Sequence, residues 1–161
     1  MVDTPIMQPG SNIWRVGTAQ RAHIIVDAEE YFTAVREAML KAERRILLIG
    51  WDFDTRINIG RHKRKRNDPP NRLGDFILWL ANNRPELEIK ILKWGQGAMK
   101  ILTRGSAMVT AARWAMHDSI QFKFDTAHPL GCSHHQKIVS IDDNFAVCGG
   151  IDMTSDRWDT N

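Results

Sequence analysis

The sequence predicts a layered α/β domain, because segments with a helical period alternate with short apolar strands along most of the chain. Asp27 can cap a first helix, with Glu30 three residues later as its capping-box partner. Apolar residues then recur with the helical period over residues 28–42. Residues 46–49 are all apolar, which is typical of a central strand covered on both faces.

The remaining elements follow in chain order. Residues 22–26 are a candidate strand before the first helix, and Asn71 can cap a second helix with an apolar stripe. Alternating apolar residues predict strands at 87–91 and 120–124, with a helix over about 107–116 between them. The alternation of these helices and strands along the chain predicts a single layered α/β domain.

Composition is that of a globular protein with one core. The chain has 161 residues with a net charge of +3, so charge alone identifies no partner. Residues 1–17 are rich in turn-forming residues, and we interpret them as a leader before a single domain over 18–161. We expect no secretory signal, and no disulfide between Cys132 and Cys148. These features favour a cytoplasmic location, with membrane association left open.

The segment 134–152 is predicted to be a hairpin whose turn lies at residues 143–144. Side chains alternate along a strand, so His135 and Lys137 share one face and Asp142 lies on the other. The hairpin therefore presents an imidazole and an ammonium on the same side.

A two-residue loop at 143–144 would fix the register of this hairpin. It would oppose Lys137 to Gly150 and His135 to Asp152, with about 5 Å between opposed Cβ atoms. This arrangement would bring imidazole, ammonium and carboxylate together, beside glycines that leave room for a ligand. The chemistry suited to it is attack on a phosphate ester, because an imidazole can be nucleophile or acid and an ammonium stabilises charge on the phosphoryl oxygens.

His135, Lys137 and Asp142 are spaced as His, any residue, Lys, four residues and Asp, and a Gly-Gly element follows at 149–150. This pattern resembles the phospholipase D superfamily. The wider string looks most like the lipid-acting branch, in which the residue that closes the glycine element is often Asp, as Asp152 is here. Many nuclease-like members carry Asn at that position.

The resemblance implies a layered α/β/α phospholipase D-like domain with a mixed sheet. It also implies phosphodiester cleavage, by hydrolysis or by transfer, through a phosphohistidine and with no cofactor or metal. The motif residues His135, Lys137 and Asp142 are the implied catalytic set, and His135, Lys137, Asp152 and Gly150 the implied phosphate-binding set. His135 would be nucleophile or acid, and Asp142, on the opposite strand face, is expected to support the hairpin.

The sequence holds one copy of the motif, whereas superfamily members build one active site from two. We expect either the first half of a larger two-motif enzyme, cut at its C-terminus, or two identical chains that complete the site together. The short remainder after Asp152 favours the first. A second phospholipase D half is therefore an expected partner, together with a phospholipid or other phosphodiester substrate.

Several acidic residues could belong to the same site. Asp52 and Asp54 follow the predicted central strand, where ligands of α/β sheets gather, although acids also simply end strands. Asp156 and Asp159 are candidates for orienting His135. The sequence leaves these alternatives open.

Residues 61–66 are a dense basic run that predicts an exposed loop. Its cations are Arg61, Lys63, Arg64, Lys65 and Arg66. The run is either a solvated loop or a contact with an anionic membrane surface. Nucleic acid is a less favoured partner, because no aromatic residue interleaves the run. The rival functions are a homodimeric single-motif nuclease and a non-catalytic module that binds anionic lipid or phosphate.

Overall fold

A computed structural model describes residues 6–63, 65–94, 105–129 and 132–160. The helices and strands within these ranges are α1 Ala28–Lys41, β1 Arg45–Gly50, α2 Leu73–Asn83, β2 Glu88–Trp94, α3 Gly105–Ala115, β3 Ile120–Asp125, β4 Ile138–Ile141 and β5 Phe145–Cys148. The strands form one five-stranded sheet in the order β3-β2-β1-β4-β5. Strands β1, β2 and β3 run parallel, and β4 and β5 are antiparallel to their neighbours. The predicted α/β class with a mixed sheet is confirmed.

Strand β1 lies at the centre of the sheet, as its apolar sequence predicts. Ile46 and Leu48 are buried in a core that the three helices share with the sheet, whereas Leu47 and Ile49 on the other face are half-buried. The central position is therefore confirmed, but one face of the strand is covered more completely than the other.

The N-terminus of α1 is held from two directions. The Asp27 carboxylate accepts the Glu30 N–H at 2.8 Å, which confirms the predicted cap. From the C-terminal part of the chain, Asp159 accepts the Ala28 N–H with its carboxylate at 2.8 Å and the Glu29 N–H with its carbonyl at 3.2 Å. The segment that follows the glycine pair is thereby fastened to α1.

Two local predictions are wrong. Residues 22–26 form no strand, and Ile24 is exposed, because no neighbouring strand pairs with this segment. Asn71 does not cap α2: the cap position is Arg72, without a side-chain hydrogen bond. The Asn71 amide instead donates to the His62 carbonyl at 3.0 Å, which ties it to the basic loop.

The predicted hairpin register is also wrong, by one residue. The loop contains three residues, 142–144, so that Ile141 pairs with Phe145. The cause lies outside the hairpin: the Asp142 N–H donates to the Arg45 carbonyl at 2.9 Å, and Asp142 takes a left-handed backbone with φ of 53°. Asp142 is thus held by the neighbouring loop and does not pair across the hairpin.

Both cysteines are exposed free thiols, in agreement with the expectation from the sequence. Among the described residues, none of the helices combines the length and the apolar character needed to cross a membrane.

Candidate active site

Lys137 lies at the centre of the candidate site. Its ammonium is 3.1 Å from His135 Nε2 and 3.2 Å from Asp152 Oδ2. Lys137 and Asp152 are 8% and 4% exposed, whereas His135 is exposed to solvent. The structure therefore brings together the three residues that the sequence grouped, although not through the predicted pairs. His135 and Lys137 precede β4 in an irregular segment, and the Gly149 N–H, not that of Gly150, donates to the Lys137 carbonyl at 3.3 Å.

The contact between Lys137 and His135 defines the state of the imidazole. An ammonium can only donate hydrogen bonds, so His135 Nε2 accepts and the ring proton lies on Nδ1. The Nε2 lone pair faces the position where Lys137 could also hold a phosphoryl oxygen. A neutral imidazole in this form is a competent nucleophile.

Open space surrounds the glycine pair at the mouth of the site. Gly149 and Gly150 are exposed, and a Cβ added at either position would meet no described atom within 4 Å. This space is consistent with the prediction that these residues leave room for a ligand, which stays a prediction. Packing within the described chain does not by itself require glycine at either position.

Two tryptophans, which sequence reasoning did not assign to the site, form its wall. The rings of His135 and Trp51 form a T-shaped pair with centroids 5.8 Å apart, and Trp51 stacks on Trp94 with centroids 5.3 Å apart. Both follow from topology, since they lie at the carboxyl ends of β1 and β2, which are parallel neighbours. That rule was the signal that could have found them.

Asp52 belongs to the site and Asp54 lies beside it. The Asp52 N–H donates to Asp152 Oδ1 at 3.3 Å, and the Asp52 carboxylate forms an ion pair with Lys93, which is 2% exposed. Asp54 instead binds Arg56 through both carboxylate oxygens, at 2.9 and 2.7 Å. The alternating pattern of β2 places Lys93 on its buried face, a signal for a buried cation that the sequence reasoning overlooked.

Tyr31 of α1 lies on the buried side of the Lys137–Asp152 pair and lines a small cavity with both residues. Burial raises the pKa of the Tyr31 phenol far above its usual range, and the negative charge of Asp152 raises it further. Tyr31 therefore stays uncharged at every physiological pH.

His134 points away from His135 and anchors the motif segment to the sheet. Its Nδ1 is 2.6 Å from Asp125 Oδ2 and its Nε2 is 3.3 Å from the Gly50 carbonyl oxygen. The two contacts join the motif segment to the ends of β3 and β1. The Ala127 N–H and then the His134 ring lower the pKa of Asp125 below its usual value.

Comparison with known proteins decides the family. The chain is 30% identical to phospholipase D A of Dictyostelium discoideum over 147 residues, which is 88% of this chain and 11% of that protein. It is 28% identical to phospholipase D C of the same organism over 136 residues, or 83% of this chain and 8% of the relative. Human phospholipase D1 matches at 28% over 140 residues, or 84% of this chain and 13% of the relative. No family model matches the chain.

The chain belongs to the phospholipase D superfamily. It spans about a tenth of the length of these relatives. Its mixed sheet is consistent with a phospholipase D-like domain, and the matched regions cover most of the described fold.

The third residue of the phospholipase D-like motif, Asp142, binds backbone away from Lys137. Its carboxylate accepts the N–H groups of Glu43, Arg44 and Arg45, each at 2.8 Å. Burial alone would raise the pKa of Asp142, but these three hydrogen bonds outweigh it and hold the pKa below its usual value. The sequence predicts that Asp142 lies on a strand face and supports the hairpin, whereas Asp142 lies in the hairpin loop. We propose that Asp142 fixes this loop to the loop between α1 and β1.

Replacing Asp142 by Asn is expected to lower the free energy of unfolding by about 1 kcal/mol at pH 7, because a neutral amide accepts these bonds more weakly than a carboxylate. A depressed pKa stabilises the fold above the pKa of the unfolded chain. The difference should therefore shrink as the pH falls below about 4. Urea unfolding at several pH values measures it, with the exposed Asp118→Asn as a charge-matched control. A pH-independent difference would contradict this account.

A cleft of about 400 Å³ is lined by Asp54 and Thr154, which lie two residues beyond Asp52 and Asp152 in the chain. It lies between the loop that follows β1 and the segment that follows the glycine pair, and its lining includes Arg56, Arg61, Asp156 and Arg157. The Arg61 guanidinium lies 4.5 Å from the ring centroid of Trp158. Arg61, the first residue of the basic run, therefore lines the cleft.

The basic run is exposed in the part that the structure describes. Arg61, Lys63, Lys65 and Arg66 are all exposed, and Arg64 lies outside the described residues. The run thus forms a surface loop, as its charge predicts. The candidates for orienting His135 lie elsewhere: Asp159 caps α1 and Asp156 lines the cleft. Within the described ranges, His, Cys, Asp and Glu form no group of three that could hold a metal ion.

Proposed function

We propose that this chain supplies one catalytic half of a phospholipase D-like phosphodiesterase that acts through a phosphohistidine. The observation that carries the proposal is the Lys137 ammonium, which lies between His135 Nε2 at 3.1 Å and Asp152 Oδ2 at 3.2 Å. The relatives that match over most of the chain are named phospholipase D, which supports the same chemistry.

In the first step, His135 Nε2 attacks phosphorus and an N–P bond forms. The bond from phosphorus to the leaving oxygen breaks, and that oxygen takes its electron pair and a proton from an acid. Lys137 exchanges its contact with Nε2 for a non-bridging phosphoryl oxygen, where negative charge increases. Asp152 keeps the ammonium at that position, and the open space at Gly150 admits the phosphate.

In the second step, either a water molecule or an acceptor alcohol attacks phosphorus, and a base takes the proton of the attacking hydroxyl group. The N–P bond breaks and returns the electron pair to Nε2. The product is a phosphate monoester if water attacks and a new diester if an alcohol attacks. The His135 ring, neutral in the resting state, serves as nucleophile in the first step and as leaving group in the second.

The acid in the first step and the base in the second are assigned to a second imidazole. The sequence provides one motif, so this imidazole comes from another part of a longer polypeptide or from a second copy of the chain. We propose a phospholipid as the substrate, because the matched relatives carry that name. A nucleic-acid diester is the alternative outcome of the tests below.

Activity should depend on how the second imidazole is supplied. A solution of the monomeric chain is expected to be nearly inactive on bis-p-nitrophenyl phosphate, because the leaving group lacks its acid. Release of p-nitrophenol is measured against chain concentration, with His135→Asn as the blank. If two copies complete the site, activity should rise with the square of concentration while dimers are scarce. Strong turnover by a demonstrated monomer would overturn the two-imidazole account.

The basic loop is proposed to contact anionic lipid headgroups. Replacing Lys63, Lys65 and Arg66 by Gln should weaken binding to phosphatidylserine vesicles by about 3 kcal/mol at low ionic strength, at about 1 kcal/mol per cation. This choice leaves the Arg61–Trp158 contact intact. Co-sedimentation measures the effect, which salt should reduce.

The matched control for that experiment removes three exposed cations elsewhere, through the changes Lys41→Gln, Arg113→Gln and Lys123→Gln. Equal losses in the two variants would indicate a response to net charge alone. Loss of duplex DNA binding in the loop variant, with vesicle binding unchanged, would instead favour the nuclease.

A further inference from the structure

The end of β2 contacts the end of β1 through two adjacent side-chain pairs. Lys93 forms an ion pair with Asp52, and Trp94 stacks on Trp51 at 5.3 Å with an angle of 16° between the rings. The Lys93 side chain is 2% exposed. Removing an ammonium from water is costly and is tolerated when a partner compensates it. The proposed reaction makes no direct use of this buried charge.

Each of the two pairs leads to one residue of the site. The Asp52 N–H donates to Asp152 Oδ1 at 3.3 Å, and the other oxygen of the same carboxylate is 3.2 Å from Lys137 Nζ. Trp51, next to Asp52 in the chain, forms a T-shaped pair with the His135 ring, with centroids 5.8 Å apart. The two residues after β1 therefore contact Asp152, which binds Lys137, and His135, the proposed nucleophile. Both residues are in turn contacted by the end of β2, through Lys93 and Trp94.

The pairing of β2 with β1 explains why the Lys93 ammonium can reach Asp52. Lys93 is paired with Gly50, the last residue of β1, and Ile89, Ile91 and Lys93 share the buried face of β2. The backbone of Lys93 is thus fixed by the sheet, and its ammonium reaches the first turn beyond β1. Electrostatic interactions in such a buried place are stronger than in water, so the ion pair restrains the loop more than a surface pair would.

We propose that Lys93 is a positioning residue for Lys137. It fixes the Asp52 peptide, the Asp52 N–H orients the Asp152 carboxylate, and that carboxylate holds the Lys137 ammonium beside His135 Nε2. The catalytic consequence rests on the proposed function, whereas the chain of contacts does not. Loss of the Lys93 charge removes the buried ammonium partner of Asp52, and the Asp152 carboxylate then loses its fixed orientation.

The test uses three variants of β2. Lys93→Met keeps the length of the side chain and removes the charge, and Lys93→Arg keeps the charge. Lys90→Met is the matched control, because Lys90 lies on the same strand but outside the site. Its ammonium forms an ion pair with Glu88 at a distance of 2.9 Å. If Lys93→Met does not fold, the double variant Lys93→Met/Asp52→Asn removes both charges and takes its place.

The first measurement is NMR of lysine side chains in the chain labelled with ¹³C at Cε. The Lys137 signal is assigned by its loss in Lys137→Arg. We expect Lys93→Met, or the double variant, to change the ¹³Cε chemical shift of Lys137. Lys90→Met should leave this shift unchanged, and Lys93→Arg should restore most of the wild-type value. An unchanged Lys137 signal in a folded Lys93→Met variant would overturn the inference.

The second measurement is turnover by the competent enzyme, as a full-length chain or a dimer. Lys93→Met is expected to lower kcat/KM by about 10-fold, the lower end of what loss of an outer hydrogen-bonding partner costs a metal ligand. Its pH–rate profile should shift as well. Suppose that the wild type is active and that Lys93→Met has the same kcat/KM, the same pH–rate profile and the same Lys137 NMR signal. The positioning role of Lys93 is then wrong, and the proposed phosphodiesterase function stands. If the wild type is inactive in every assembly but the Lys137 signal moves, the function fails and the positioning contact stands.

Discussion

Replacing His135 by Asn is expected to abolish turnover in the competent enzyme, with a loss of about 10⁴-fold or more. The amide cannot form the N–P bond, and nothing else among the described residues places an unprotonated imidazole nitrogen beside Lys137. His135 is exposed, so the variant should fold normally. Initial rates with a chromogenic diester and with a phospholipid measure the loss.

The matched control is His23→Asn, which makes the same change at an exposed histidine that pairs with Glu30 away from the site. It should retain wild-type kcat and KM. The choice of substrate separates the two roles of His135. If it were the acid, the variant would still release a good leaving group such as p-nitrophenol and would fail only with poor ones. Full activity of His135→Asn on both substrates would contradict the proposed chemistry.

Replacing Lys137 by Met should affect both rate and stability. The rate is expected to fall by about 10²–10³-fold, because a fixed positive charge is lost where negative charge develops. The free energy of unfolding should fall by about 3 kcal/mol, because Asp152 stays buried without its ammonium partner. Steady-state kinetics and urea unfolding measure the two effects. Lys90→Met breaks the exposed Lys90–Glu88 pair and should cost less than about 1 kcal/mol.

A double variant separates the catalytic effect from the structural one. Lys137→Met/Asp152→Leu removes both buried charges and should recover most of the lost stability, because an apolar pair can replace a buried ion pair. Its activity should remain as low as that of the single variant. Recovery of the rate together with stability would show that Lys137 acts only through the fold.

The sequence correctly predicted the structural features that depend on residues close together in the chain. The Asp27 cap depends on a residue three positions away, and the central strand on four consecutive apolar residues at 46–49. The grouping of His135, Lys137 and Asp152 was also correct, although the register from which it was drawn was not. His135, Lys137 and Asp152 lie at the open end of the hairpin, where its two arms are adjacent under either register. A shift by one residue therefore changed the cross-strand pairs but left these three residues close together.

What the sequence did not predict depends on contacts between distant segments. The hairpin loop gained a third residue because Asp142 binds the backbone of residues 43–45, which no local turn rule contains. Trp51, Trp94 and Lys93 entered the site because β1 and β2 are parallel neighbours, and strand order is not written in either strand alone. Asp159 was a candidate for orienting His135, and the tertiary fold uses it to cap α1.

The most direct test of the central claim is to isolate the phosphoenzyme. The competent enzyme is mixed with a phospholipid labelled at phosphorus, quenched in alkaline denaturant within one turnover and digested, and the labelled peptide is identified by mass spectrometry. We predict that the labelled phosphorus, which keeps the ester bond that the first step leaves unbroken, is bound to His135 through nitrogen, and that this N–P bond is stable in alkali and broken in acid. Label on the partner histidine, with His135 unmodified, would contradict the account.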